Sequence, residues 1–118
     1  MNLDEAELSA WRTGLLADIS SADASRSTRA LLSLTYEDPD RIWLEKVLIE
    51  SLGREFDAQV RALAVTCMGH VGRIHGAISS NIIEKLQELL DDPVLGPRAE
   101  DALGDIRHFT KKTDLVLE

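Results

Sequence analysis

The sequence predicts an all-α fold, a short α-solenoid of about three antiparallel helical hairpins, on three observations. Every long apolar segment recurs at three- and four-residue steps, and none keeps the two-residue alternation of a strand. Residues 60–75 read as a helix with almost no solvent-facing side: Val60, Leu63, Ala64, Cys67, Met68, Val71 and Ile74 form one face, and the other holds Ala62, Val65, Thr66, Gly69 and Gly72. Glycine inside a helix costs roughly 1 kcal/mol against alanine, so Gly69 and Gly72 call for a neighbouring helix that comes close there. The third observation is an internal echo. Cys67-Met68-Gly69-His70-Val71 matches Ala102-Leu103-Gly104-Asp105-Ile106 at an offset of 35, and Leu44/Val47 match Ile83/Leu86 at an offset of 39.

Each helix carries its own signals. The first covers residues 4–19, with Leu8, Trp11, Leu15, Leu16 and Ile19 on its apolar side, and Ser20-Ser21-Ala22-Asp23 breaks it. The second covers 24–36 through Ala30, Leu31 and Leu34. The third opens at Asp38-Pro39, a capping carboxylate followed by proline in the first turn, and stops at Gly53. Its arc is Trp43, Leu44, Val47, Leu48 and Leu52, leaving Glu45, Lys46 and Glu50 for solvent. Asp57 precedes the fourth helix, which ends near His75-Gly76. The fifth, 79–91, turns Ile82, Ile83, Leu86, Leu89 and Leu90 inward. The sixth, 97–109, opens at Pro97 and points Ala99, Ala102, Leu103, Ile106 and Phe109 inward. One domain spans 1–118, in hairpins 4–36, 38–76 and 79–109, with a tail 110–118 whose Leu115, Val116 and Leu117 are apolar enough to pack back.

Composition narrows the function classes. A formal net charge of -8 repels a nucleic-acid backbone and suits a basic partner, although many proteins are acidic simply for dispersal. The single cysteine, Cys67, gives neither a disulfide framework nor a zinc spacing, and its apolar setting predicts an inert thiol. Residues 1–8 lack a basic region followed by an apolar run, and no stretch approaches the roughly 20 apolar residues of a membrane span, so a cytoplasmic protein is expected. There is no phosphate-cradling glycine loop and no serine or cysteine beside a base. Of five aromatic residues, Trp11 and Trp43 fall within apolar stripes and read as core anchors.

His70, Arg73, His75 and His108 are the only groups suggesting acid/base chemistry. His70 and His75 lie about 140° apart round a helix, so they do not converge as a metal pair does; capping of the helix end is expected instead, with Arg73 reaching carbonyls or a carboxylate. Asp101, Asp105 and His108 share one edge of the sixth helix. That line suits a lysine or arginine from a partner; a solvated face is the ordinary reading, and a metal-dependent hydrolase is the rival one. Glu84, Glu88, Asp91 and Asp92, with Glu100, are expected to merge with Asp101 and Asp105 into one acidic surface that steers a basic ligand. No catalytic residue, cofactor or metal is expected.

The paired segments resemble HEAT-type repeats, whose second helix carries a pattern like Val-Arg-x-x-Ala-x-x-x-Leu-Gly. Val60-Arg61, Ala64 and Met68-Gly69 keep it with methionine for leucine, Arg98-Ala99 and Ala102-Leu103-Gly104 keep a shortened form, and residues 4–36 depart from it as a terminal repeat does. Residues 67–76, followed by 98–106 and Phe109, are similar to small bacterial immunity proteins of contact-dependent inhibition and polymorphic toxin systems. That resemblance implies an inhibitor that binds its cognate toxin domain and blocks its active site, with no reaction of its own. A general HEAT-like adaptor or assembly factor is the alternative.

Overall fold

Four helices begin at an aspartate whose side chain accepts backbone N–H groups that the first turn leaves free. Asp4 caps α1 (Glu5–Ile19), Asp23 caps α2 (Ala24–Glu37), Asp40 caps α3 (Arg41–Glu50) and Asp57 caps α4 (Ala58–His75). Each such cap contributes about 1 kcal/mol. In α1 the Glu7 side chain also returns to the Asp4 N–H, closing a capping box. The α4 helix stops at Gly76, whose φ of 66° is a left-handed conformation that side chains disfavour. A two-residue strand β1 (Ile78–Ser79) leads into α5 (Ser80–Leu89), and a turn then leads into α6 (Gly96–Thr110). The computed structural model describes residues 2–110 and Val116–Leu117. The latter form strand β2, which pairs in parallel with β1 as Ile78 to Val116 and Ser79 to Leu117.

The fold is all-α. Helices α2, α4 and α6 lie in a row with α4 in the middle, and α1, α3 and α5 back them in turn. The principal extents, 35 × 32 × 18 Å, fit two layers of helices, each about 10 Å across. Val60, Ala64, Val65, Cys67, Met68 and Val71 of α4 are almost wholly buried, together with Leu31 and Leu34 of α2, Leu44 and Leu48 of α3, Ile82 and Leu86 of α5 and Ile106 of α6. Each large aliphatic chain removed from water in this way contributes about 1.5–3 kcal/mol. The glycines of α4 sit where the α6 backbone comes close: a Cβ at Gly69 would lie 3.0 Å from Ala102 Cα, and one at Gly72 would lie 2.9 Å from Ile106 Cγ1.

Several expectations are corrected. Helix α3 starts two residues later than the Asp38-Pro39 signal suggests, because Asp38 closes the preceding helix and Asp40 does the capping. Glu45 is not left to solvent but only 3% exposed, bound to Arg41 Nη1 at 2.6 Å and to the Ser79 N–H at 3.1 Å. A cation one turn away and an amide from the chain link make this burial tolerable. Helix α5 ends before Leu90, whose side chain, like those of Ile74 and Phe109, is about two-fifths exposed rather than inward. Trp11 and Trp43 are only half-buried against the core. Leu115 lies outside the described residues.

Candidate functional site

The acidic residues of α5, α6 and the turn between them divide into four groups. Glu84 and Glu88 are exposed on α5, on the side away from its buried Ile82 and Leu86, and Glu88 accepts a hydrogen bond from Lys85 at 3.2 Å. Asp91 is exposed in the turn that follows. Asp92 is committed to that turn: its Oδ1 accepts the N–H groups of Val94 and Leu95 at 2.8 Å each, bonds that hold its carboxyl below the usual carboxylate range. On α6, Asp101 and Asp105 stand one turn apart. They line a hollow of about 500 Å³ with Thr66, Arg98 and Ala102. Arg98 donates to the Thr66 hydroxyl at 2.9 Å, which ties this edge of α6 to α4. Glu100 is about 140° round the helix from Asp105 and so faces the other flank. The structure therefore brings together Asp101 and Asp105 and separates them from the outer carboxylates of α5.

A second cluster lies on the same row. Tyr36, at the end of α2, is 50% exposed, and its ring centroid is 5.5 Å from that of His70 on α4. The Arg73 guanidinium lies 5.9 Å from the Tyr36 ring centroid and donates to the Tyr36 hydroxyl at 3.4 Å; its contact with His70 Nδ1 is 3.2 Å. Arg73 thus meets a phenol and an imidazole, not the carbonyls or carboxylate expected of it. Burial and the neighbouring Arg73 lower the His70 pKa, while Asp105 works against them; the net shift favours the neutral ring, which can accept from Arg73. Periodicity and motif alone do not single out Tyr36. The signal was available, since Tyr36 falls opposite Ala30, Leu31 and Leu34 on the helical circumference and is an aromatic on a polar face.

The remaining candidates do not converge. His75 is half-buried at the end of α4, its Nε2 has no hydrogen-bond partner among the described residues, and burial lowers its pKa. His108 is exposed and meets Phe109 edge to face at 4.7 Å. Among the described residues no group of three or more histidine, cysteine, aspartate or glutamate side chains has the geometry to hold a metal ion, the Asp101, Asp105 and His108 line included. Cys67 is fully buried, and burial pushes its thiol up to about 11. No described helix is long and apolar enough to cross a membrane.

What these features define is an all-helical protein whose exposed chemistry, among the described residues, is fixed charge with Tyr36 and Phe109 as exposed aromatics. A solved structure described as a CDI complex from Cupriavidus taiwanensis LMG 19424 contains a chain that superposes on this one with a TM-score of 0.74. The two are 31% identical, and the alignment covers 94% of this chain and 92% of that one. The chain belongs to the family of that CDI-complex component. No family model matches the sequence, and no curated protein matches it.

Proposed function

We propose that this chain is an immunity protein of a contact-dependent inhibition system, which binds a cognate toxin domain and neutralises it without catalysing a reaction. The observation that carries this reading is the likeness to a chain of a CDI complex over nearly the full length of both. The partner is a basic nuclease domain, because a cleft that holds phosphates must be positively charged and a chain of net charge -8 is its electrostatic complement. The chain covers the active site with acidic side chains, Asp101 and Asp105 as neighbours on α6, while Glu84, Glu88, Asp91, Asp92 and Glu100 add their charge from other faces. The packing order of the helices supports a HEAT-like stack as the scaffold, acting in the cytoplasm where the toxin arrives.

The test is co-expression in a bacterial host of this chain with the toxin domain encoded immediately upstream of it. Growth is expected to be restored, and nucleic-acid cleavage by the purified toxin domain to stop at equimolar chain. Undiminished toxicity, or the lack of any toxin gene in that position, overturns the reading.

A further inference from the structure

The row formed by α2, α4 and α6 presents one continuous exposed strip. Tyr36 contributes from α2, His70 and Arg73 from α4, and Asp101 and Asp105 from α6. Next to it, a hollow of about 520 Å³ is lined by Thr28 and Leu32 of α2, Leu63 of α4, and Val94 and Arg98. Three properties set this strip apart from the outer face of α5.

It joins three helices packed in a row, with α4 and α6 in backbone-close contact at Gly69 and Gly72, an arrangement that favours groups placed before any partner arrives. It also contains the residue types that dominate binding energy, a half-exposed tyrosine with an arginine lying over its ring. Lastly, its charges are unmatched. Neither Asp101 nor Asp105 makes an ion pair among the described residues, and Arg73 has only uncharged neighbours within hydrogen-bond reach. By contrast, Glu88 on α5 is already paired with Lys85.

We infer that the toxin docks on this α2–α4–α6 strip, with Tyr36 as the aromatic anchor at its α2 end, the Asp101 and Asp105 pair receiving a lysine or arginine, and Arg73 meeting a carbonyl or carboxylate between them. The inference rests on the reading of the chain as a toxin-binding protein and narrows its contact surface. Glu84 and Glu88 then act only through their long-range field. The occupant is a protein loop of mixed charge, because a uniformly basic surface would leave Arg73 facing a like charge.

The experiment measures binding of the full chain and its variants to the toxin domain encoded immediately upstream. Tyr36→Ala and Arg73→Ala are each expected to weaken binding by about 30-fold or more, and the double variant Asp101→Lys/Asp105→Lys by at least as much. Glu84→Lys/Glu88→Lys is expected to change affinity by less than about threefold at physiological salt. All these side chains are exposed, and unchanged helical circular dichroism verifies the fold of each variant. Zero-length carbodiimide crosslinking of the unmodified proteins gives an independent reading, with partner lysines expected on Asp101 or Asp105. Loss of binding through Glu84 and Glu88 alone, or crosslinks confined to α5, overturns the docking surface and leaves the immunity function standing. No binding by the unmodified chain instead removes the functional reading on which the inference rests.

Discussion

Asp38 has the chemistry of a helix cap and the position of a rivet. Its two carboxylate oxygens accept Arg12 Nε and Nη2 at 2.7 Å each, Oδ1 also accepts the Asp40 N–H at 2.9 Å, and the Arg12 guanidinium lies 4.2 Å from the Trp43 ring centroid. The carboxylate in turn raises the pKa of Arg12, which keeps the guanidinium charged. One group therefore joins α1, the end of α2 and the start of α3. Nothing local in the sequence reveals this, because Asp-Pro ahead of an apolar arc satisfies every rule for a helix start and the deciding partner lies 26 residues upstream. Asp38→Ala leaves a partly buried cation without its counter-charge and is expected to destabilise the protein by about 3 kcal/mol, read from urea unfolding. Replacing both partners, Arg12→Met with Asp38→Leu, should recover most of the loss. A single-variant loss below about 1 kcal/mol means that the pair does not hold the three elements together. Cys67, in contrast, was legible from its own neighbours: an apolar helical face predicts a buried thiol, and burial keeps it from ionising at neutral pH.

At the scale of elements, the echo between α4 and α6 separates what a sequence states from what a neighbour decides. Gly69 and Gly104 occupy equivalent places in the repeated motif, yet a Cβ at Gly69 would press against the Ala102 backbone, whereas one at Gly104 would meet nothing within 4 Å among the described residues. The difference follows from position in the row. The α4 helix has α6 beside it, whereas among the described residues α6 has no further helix on its other flank. Gly104→Ala is therefore expected to raise stability by about 0.5–1 kcal/mol through helix propensity alone. At Gly69 the same change should lower it by about 1–3 kcal/mol, because the gain in propensity is outweighed by separating two packed backbones. Thermal unfolding of the two variants side by side measures both signs; a stabilised Gly69→Ala would show that the α4–α6 contact is looser than the geometry requires. Periodicity locates the six described helices, since long apolar stripes constrain the chain at every turn. It missed the β1–β2 pairing because two residues are too few to carry an alternation, and it buried Ile74, Leu90 and Phe109 because helix ends lack the neighbours that interior turns possess.

For the whole molecule, the fold class and the acidity were plain from the chain, while the distribution of that acidity was not. A list of carboxylates on adjacent helices suggests one merged surface, but side chains leave each helix in fixed directions, so Asp101 and Asp105 turn toward α4 while Glu84 and Glu88 turn outward. What survives at a distance is the sum. At separations beyond the Debye length, about 8 Å at physiological salt, a partner responds to the net charge of -8 more than to any pair. Charge of this kind accelerates encounter, whereas short-range contacts such as those proposed for Tyr36 and Arg73 govern how long a complex lasts. Raising salt from about 20 mM to about 500 mM is therefore expected to slow association with a basic toxin domain by about tenfold or more, while dissociation changes by less than about threefold. Stopped-flow mixing across that range separates the two rates, and an association rate that is flat or rises with salt would assign the net charge to solubility alone.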